Sequence, residues 1–163
     1  MKASKIILNS IALLFVMLWS KQIVIAQVLQ TPFIPESVVY SDGEFELDQK
    51  TIIILPKQFY QSLKPYLEGK FEQDLNWIPR IEKGRNKQAK NQIVFKVEEK
   101  AKIAQEGYLL SITTNGITIS AKDYGGFFNG FQTLRQTFPL ENSKRILIPA
   151  MEVEDNPRFN WRG

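Results

Sequence analysis

Apolar positions along the chain alternate between two periods, and the switches mark out the elements. Residues 33–40 predict an entry segment and a short strand, and Ser41-Asp42-Gly43 carries turn chemistry. Glu44-Phe45-Glu46-Leu47 alternates polar and apolar, as a half-buried strand does. Thr51-Ile52-Ile53-Ile54-Leu55 is a continuous β-branched run, the pattern of a central strand, and Pro56 ends it. From 57 to 77 the period lengthens. Phe59, Leu63, Tyr66, Leu67, Phe71 and Leu75 recur at three- and four-residue steps and stack on one face of a helix. Pro65 and Gly69 predict a kink or a break in it. Residues 82–91 are polar and rich in Lys and Arg, a solvated loop, with a polyanion-binding patch as the alternative.

Gln92-Ile93-Val94-Phe95-Lys96-Val97 returns to strand character. Two further runs, 107–113 and 117–120, flank Thr114-Asn115-Gly116, and Asn-Gly between β-branched runs predicts a hairpin. The sheet is therefore at least partly antiparallel. A second helix is predicted over 124–138, with Phe127, Phe131, Leu134 and Phe138 as its core stripe. Gly126 and Gly130 share a face of that helix. A helical glycine costs about 1 kcal/mol relative to alanine, so the pair predicts backbone packed closely on backbone. Pro139 stops the helix, 145–153 gives a last strand, and Glu154-Asp155-Asn156-Pro157 reads as a linker. The fold class is α+β: a mostly antiparallel sheet with two helices packed on one face.

The first 26 residues have a different logic. Lys2 and Lys5 precede a mostly apolar stretch from 6 to 19, and Val24-Ile25-Ala26 offers a small residue at a cleavage point. This is the pattern of a secretory signal peptide over 1–26. The apolar core is short for an uncleaved anchor, which needs roughly 20 residues. The expected destination is periplasmic or extracellular, with no membrane association after cleavage. The organisation is then a signal peptide at 1–26, an α+β domain at 27–153 and a terminal segment at 154–163 that begins as a linker.

Composition narrows the chemistry. The chain of 163 residues is 44% hydrophobic and 23% charged, a globular balance that argues against wholesale disorder. It has neither Cys nor His, which removes Ser-His-Asp and Cys-His nucleophiles, a disulfide framework and Cys/His zinc sites. The 21 basic residues exceed the 17 acidic ones, but the leader holds Lys2, Lys5 and Lys21 and no acid, which leaves 18 against 17. No basic excess remains on the domain for nucleic acid. Carboxylate pairs are the remaining acid–base candidates: Asp42 with Glu44, Glu98 with Glu99, and Glu154 with Asp155. They lie in a turn, at a strand end and in a linker, which reads as solvated surface. Asp123-Tyr124-Gly125-Gly126 precedes a helix but lacks the Lys-Ser/Thr of a phosphate loop. Phe159 and Trp161, large apolar groups just after a linker, suggest that the chain continues in its natural form.

Four blocks in order carry a resemblance: Glu106-Gly107-Tyr108-Leu109-Leu110-Ser111-Ile112; Asn115-Gly116-Ile117-Thr118-Ile119-Ser120-Ala121; Gly126-Phe127-Phe128-Asn129-Gly130-Phe131-Gln132-Thr133-Leu134-Arg135-Gln136; and Ile148-Pro149-Ala150-Met151-Glu152-Val153-Glu154-Asp155-Asn156-Pro157-Arg158-Phe159-Asn160-Trp161-Arg162-Gly163. Together they resemble the family 20 glycoside hydrolases, the β-N-acetylhexosaminidases. The resemblance implies an N-terminal α+β domain, with residues 154–163 as linker and start of a (β/α)8 barrel, here truncated. Arg162 matches the arginine that reaches hydroxyls of the terminal sugar, a role that suits a planar, forked donor. Arg158 matches a more structural position. The family acid is the Glu of an adjacent Asp-Glu pair, and this sequence has no Asp-Glu dipeptide. The resemblance thus implies no catalytic residue in this chain, no cofactor and no metal, and N-acetylhexosamine-containing glycans or chito-oligosaccharides as partners through the barrel. The alternative is a stand-alone, non-catalytic exported module that binds glycan or protein.

Overall fold

The computed structural model describes residues 35–84, 90–99, 103–139 and 143–156. The leader and the block from Arg158 to Gly163 lie outside these residues. Seven strands and two helices make up the described domain: β1 (Ser37–Asp48), β2 (Ile52–Leu55), α1 (Tyr60–Leu75), β3 (Arg80–Lys83), β4 (Gln92–Val97), β5 (Tyr108–Thr113), β6 (Gly116–Ala121), α2 (Tyr124–Arg135) and β7 (Arg145–Asp155). A short 3-10 turn, Lys57–Phe59, leads into α1.

The α+β class and the two-helix layer are as the sequence predicts. The strand order is β1-β7-β5-β6-β4-β2-β3. Its pairings divide evenly: β1–β7, β7–β5 and β5–β6 are antiparallel, whereas β6–β4, β4–β2 and β2–β3 are parallel. The sheet is mixed, not mostly antiparallel. The helices account for this. Parallel neighbours need a crossover, and α1 supplies one between β2 and β3. Helix α2 likewise connects β6 to β7, which run the same way on either side of β5.

Both helices bury their stripes in one core. Leu63, Leu67, Phe71 and Leu75 of α1 and Phe127, Phe131 and Leu134 of α2 are all buried. Phe71 meets Phe131 with ring centroids 5.4 Å apart, and Phe95 of β4 meets Phe127 at 5.6 Å. The helices therefore share the sheet face that carries Ile93 and Phe95, and touch each other there.

Several local expectations change. Ser41-Asp42-Gly43 is not a turn between two strands. It is a bulge inside β1, where the register against β7 shifts between Tyr40 and Glu44, and Gly43 takes φ 98°. Helix α1 runs unbroken through Pro65. Pro65 and Gly69 both lie on its exposed outer side, where water can satisfy the carbonyl that the proline leaves unbonded. Strand β3 falls partly in the predicted loop, and β7 continues to Asp155, two residues into the predicted linker. The hairpin forms, but its turn residues are Thr114 and Asn115, and neither has a positive φ. Gly116 is needed for a different reason: a Cβ there would lie 2.9 Å from the Gln92 carbonyl oxygen on β4.

The glycine pair on α2 behaves as expected. A Cβ at Gly126 would sit 2.3 Å from the Gly107 carbonyl oxygen and 2.8 Å from the Ala121 Cβ. One at Gly130 would sit 2.7 Å from Ile119 Cγ2 and 3.1 Å from the Tyr108 ring. Gly69 has open space around it. Gly126→Ala is therefore expected to cost about 1–3 kcal/mol by overpacking against backbone. Gly69→Ala should gain about 0.5–1 kcal/mol from helix propensity. Urea-unfolding midpoints of the two variants, moving in opposite directions from the parent chain, check both.

Candidate functional site

Arg162, the one predicted substrate-contact residue, lies outside the described residues, so the structure places no side chain for it. The carboxylate pairs can be placed. Asp42 and Glu44 are exposed on the β1 bulge. Glu98 is engaged by Lys96 at 2.7 Å, while Glu99 is exposed at the end of β4. Glu154 lies on the exposed side of β7, and Asp155 ends that strand. Each pair sits on or at the end of its own strand, at or near the surface. Among the described residues, no group of three or more His, Cys, Asp or Glu side chains could hold a metal ion. No described helix is long and apolar enough to cross a membrane.

Polar chemistry instead concentrates at three nodes that join the ends of strands and helices. The first ties the β1–β2 turn to the start of β4. Thr51, fully buried, donates its hydroxyl to Asn91 Oδ1 at 2.5 Å and accepts the Asp48 N–H at 3.1 Å. Asp48 Oδ1 accepts from Asn91 Nδ2 at 3.1 Å and from the Lys50 N–H at 2.9 Å. Asn91 holds φ 57°, a left-handed conformation that asparagine tolerates. Desolvation pushes the Asp48 carboxyl up, but the bonds from Asn91, Lys50 and Thr51 outweigh it and hold it below the usual aspartate value.

The second node joins the helices. Arg135 on α2 binds Asp74 on α1 with two parallel bonds, at 2.5 and 2.8 Å, and donates to Gln132 Oε1 at 2.6 Å. About four-fifths of both side chains is shielded from solvent, since 19% and 20% remain exposed. The Asp74 hydrogen bond raises the Arg135 pKa further, so the guanidinium stays charged. Tyr66 lies beside Arg135. Burial raises its pKa, and its hydroxyl is buried without a well-aligned partner.

The third node is at the start of α2. Asp123 caps the helix, with Oδ1 accepting the Gly126 N–H at 2.8 Å, while Oδ2 accepts the Glu106 N–H at 3.0 Å. The helix N-terminus is thus occupied by the chain's own carboxylate. Asp123 just before a helical stripe is a signal that sequence alone can supply. The second partner of Asp123, the Glu106 N–H, has no such signal, because it lies 17 residues away in the chain.

These nodes hold the domain together and offer no reacting constellation among the described residues. A mixed seven-stranded sheet with two helices on one face, held at its ends by such nodes, defines a two-layer α+β domain. The family model for "Glycosyl hydrolase family 20, domain 2" matches residues 32–156, and the chain belongs to that family. A β-hexosaminidase of Porphyromonas gingivalis is 31% identical over 136 residues, which cover 80% of this chain and 17% of that protein. Among solved structures, a β-N-acetylhexosaminidase from Bacteroides fragilis superposes with a TM-score of 0.65 at 24% identity, over 83% of this chain and 26% of its own. A Vibrio harveyi family 20 exo-β-N-acetylglucosaminidase, solved with N-acetylglucosamine, gives 0.67 at 24% identity, over 84% and 20%. The chain therefore spans a minor part of the length of the relatives it matches.

The Asp48 shift has a sign that can be tested. A folded-state pKa below the unfolded value adds stability above that unfolded value and loses it as pH falls through the folded one. Asp48→Asn is thus expected to be less stable than the parent chain at about pH 6, where the folded-state carboxylate is ionised. The gap should close as pH falls below the ordinary aspartate value of 3.8, as read from urea midpoints along a pH series.

Proposed function

We propose that this chain is the N-terminal, non-catalytic portion of an exported β-N-acetylhexosaminidase. That enzyme removes terminal non-reducing N-acetylhexosamine residues with retention. The sugar's own 2-acetamido oxygen attacks the anomeric carbon while a Glu protonates the leaving oxygen. The observation that carries the reading is the family match over 32–156, with Arg158-Phe159-Asn160-Trp161-Arg162-Gly163 just after it. Arg162 is then the first residue of this sequence to contact substrate, donating to two neighbouring sugar hydroxyls from one guanidinium. The leader over 1–26 supports export.

The absence of an Asp-Glu dipeptide sets the expected activity. The purified chain is expected to show no turnover of a chromogenic N-acetylglucosaminide above the uncatalysed rate. Enzyme-like turnover would overturn the proposal. Sequencing the transcript past codon 163 tests the same reading from the other side. An in-frame barrel containing an adjacent Asp-Glu pair is expected. A stop codon there, with chito-oligosaccharide binding by the purified chain, would favour a stand-alone binding module instead.

A further inference from the structure

Asn156 is the residue directly after β7, and its side chain turns back onto the domain. Oδ1 accepts the Ala104 N–H at 2.9 Å. Nδ2 lies 3.3 Å from Glu154 Oε1 and 3.4 Å from Glu36 Oε2. The turn that Asn156 grips is itself held from three sides. The Gly107 N–H donates to the Ala104 carbonyl at 3.1 Å, which closes the turn. Glu106 sits at φ 61°, a conformation most side chains avoid, with its N–H on Asp123 and its carbonyl accepting Asn129 Nδ2 at 2.9 Å. The Gly107 carbonyl lies against Gly126 of α2, and a Cβ at Gly107 would come within 2.6 Å of Asn156 Oδ1. One turn therefore fastens the N-terminus of α2 to the end of the last strand.

We infer that Asn156 is a latch. It is a positioning residue that fixes where and in which direction the chain leaves the sheet after β7, by locking the strand end to the turn that α2 already holds. The latch goes beyond the hexosaminidase reading and does not depend on it. The chemistry selects asparagine. The Ala104 N–H finds its acceptor in Oδ1, and the two carboxylates of Glu36 and Glu154 share one neutral donor in Nδ2. Aspartate keeps the acceptor but loses the donor, and alanine loses both.

The test uses the 163-residue chain as parent, Asn156→Ala and Asn156→Asp, with amide hydrogen exchange by NMR and timed trypsin cleavage after Arg158. In Asn156→Ala the Ala104 amide is expected to exchange at least about tenfold faster. Cleavage after Arg158 should quicken several-fold, while amides of β4 and β6 keep their parent protection. Asn156→Asp is expected to keep Ala104 protection within about threefold of the parent, because its carboxylate still accepts that N–H. Three results would overturn the latch: parent-like Ala104 exchange and Arg158 cleavage in the alanine variant; acceleration there only in step with the β4 and β6 amides; or loss of Ala104 protection in the aspartate variant equal to that in alanine.

Discussion

The fold rests on how closely α2 approaches the β5–β6 hairpin. At Gly126 and Gly130 the helix backbone lies where no Cβ fits, against the Gly107 carbonyl and against Ile119 and Tyr108. That distance sets everything stacked above it. With the helix so low on the sheet, Phe127 and Phe131 reach Phe95 on β4, and the same rings meet Phe59, Tyr66 and Phe71 at the other helix. Helix α1 is therefore located by α2 as well as by the sheet. The Arg135–Asp74 pair forms at the helix–helix contact because the aromatic seam has already brought the two elements together. Tyr108 shows the same logic from below: its ring fills the space that Gly130 leaves, and its hydroxyl is 2.6 Å from Thr133 Oγ1 one turn further on.

Much of this was legible in sequence because it is local. The 127/131/134 stripe, the α1 stripe and the hairpin around Asn115 come from periodicity and turn composition, and the close approach of α2 comes from two glycines four residues apart. Pairing at a distance could not be read. A strand's direction relative to its neighbours is not written in its own residues, so β4 beside β2 and β6 in parallel register was invisible. Strand β3 has Ile81 as its only apolar residue and lies at the sheet edge, where one face of contact suffices and Arg80, Glu82 and Lys83 deter further pairing. Ser41-Asp42-Gly43 has turn composition, but β7 pairs with both flanks and turns the same residues into a bulge.

The candidate site divides differently. The residue proposed for sugar recognition, Arg162, was reached only through resemblance, since it is unremarkable as a lone arginine, and the carboxylate pairs carry no spacing that distinguishes a catalytic pair from solvated surface. The structure places those carboxylates at or near the surface. Each belongs to a strand end or bulge, and the most buried ionic contact among the described pairs, Arg135 with Asp74, is one that no local pattern marks. Its partners are 61 residues apart in sequence. Charge that matters to this domain is placed by tertiary structure.

The three polar nodes share a position: each joins segments where a strand or helix begins or ends. Thr51 and Asn91 align the starts of β2 and β4, Arg135 and Asp74 align the ends of two helices, and Asp123 with Asn156 aligns the start of α2 with the end of β7. Partly exposed hydrogen bonds of this kind contribute about 1 kcal/mol each, much less than the burial of the aromatic seam. Their larger effect is on uniqueness. An apolar core tolerates small sliding of a helix along its ridge, whereas a bidentate guanidinium or a capping carboxylate is satisfied at one register only. A domain built this way has a core that holds the layers together and polar ends that fix where they stop. The second property sets where β7 stops relative to α2, through the turn that Asn156 and Asp123 both bond.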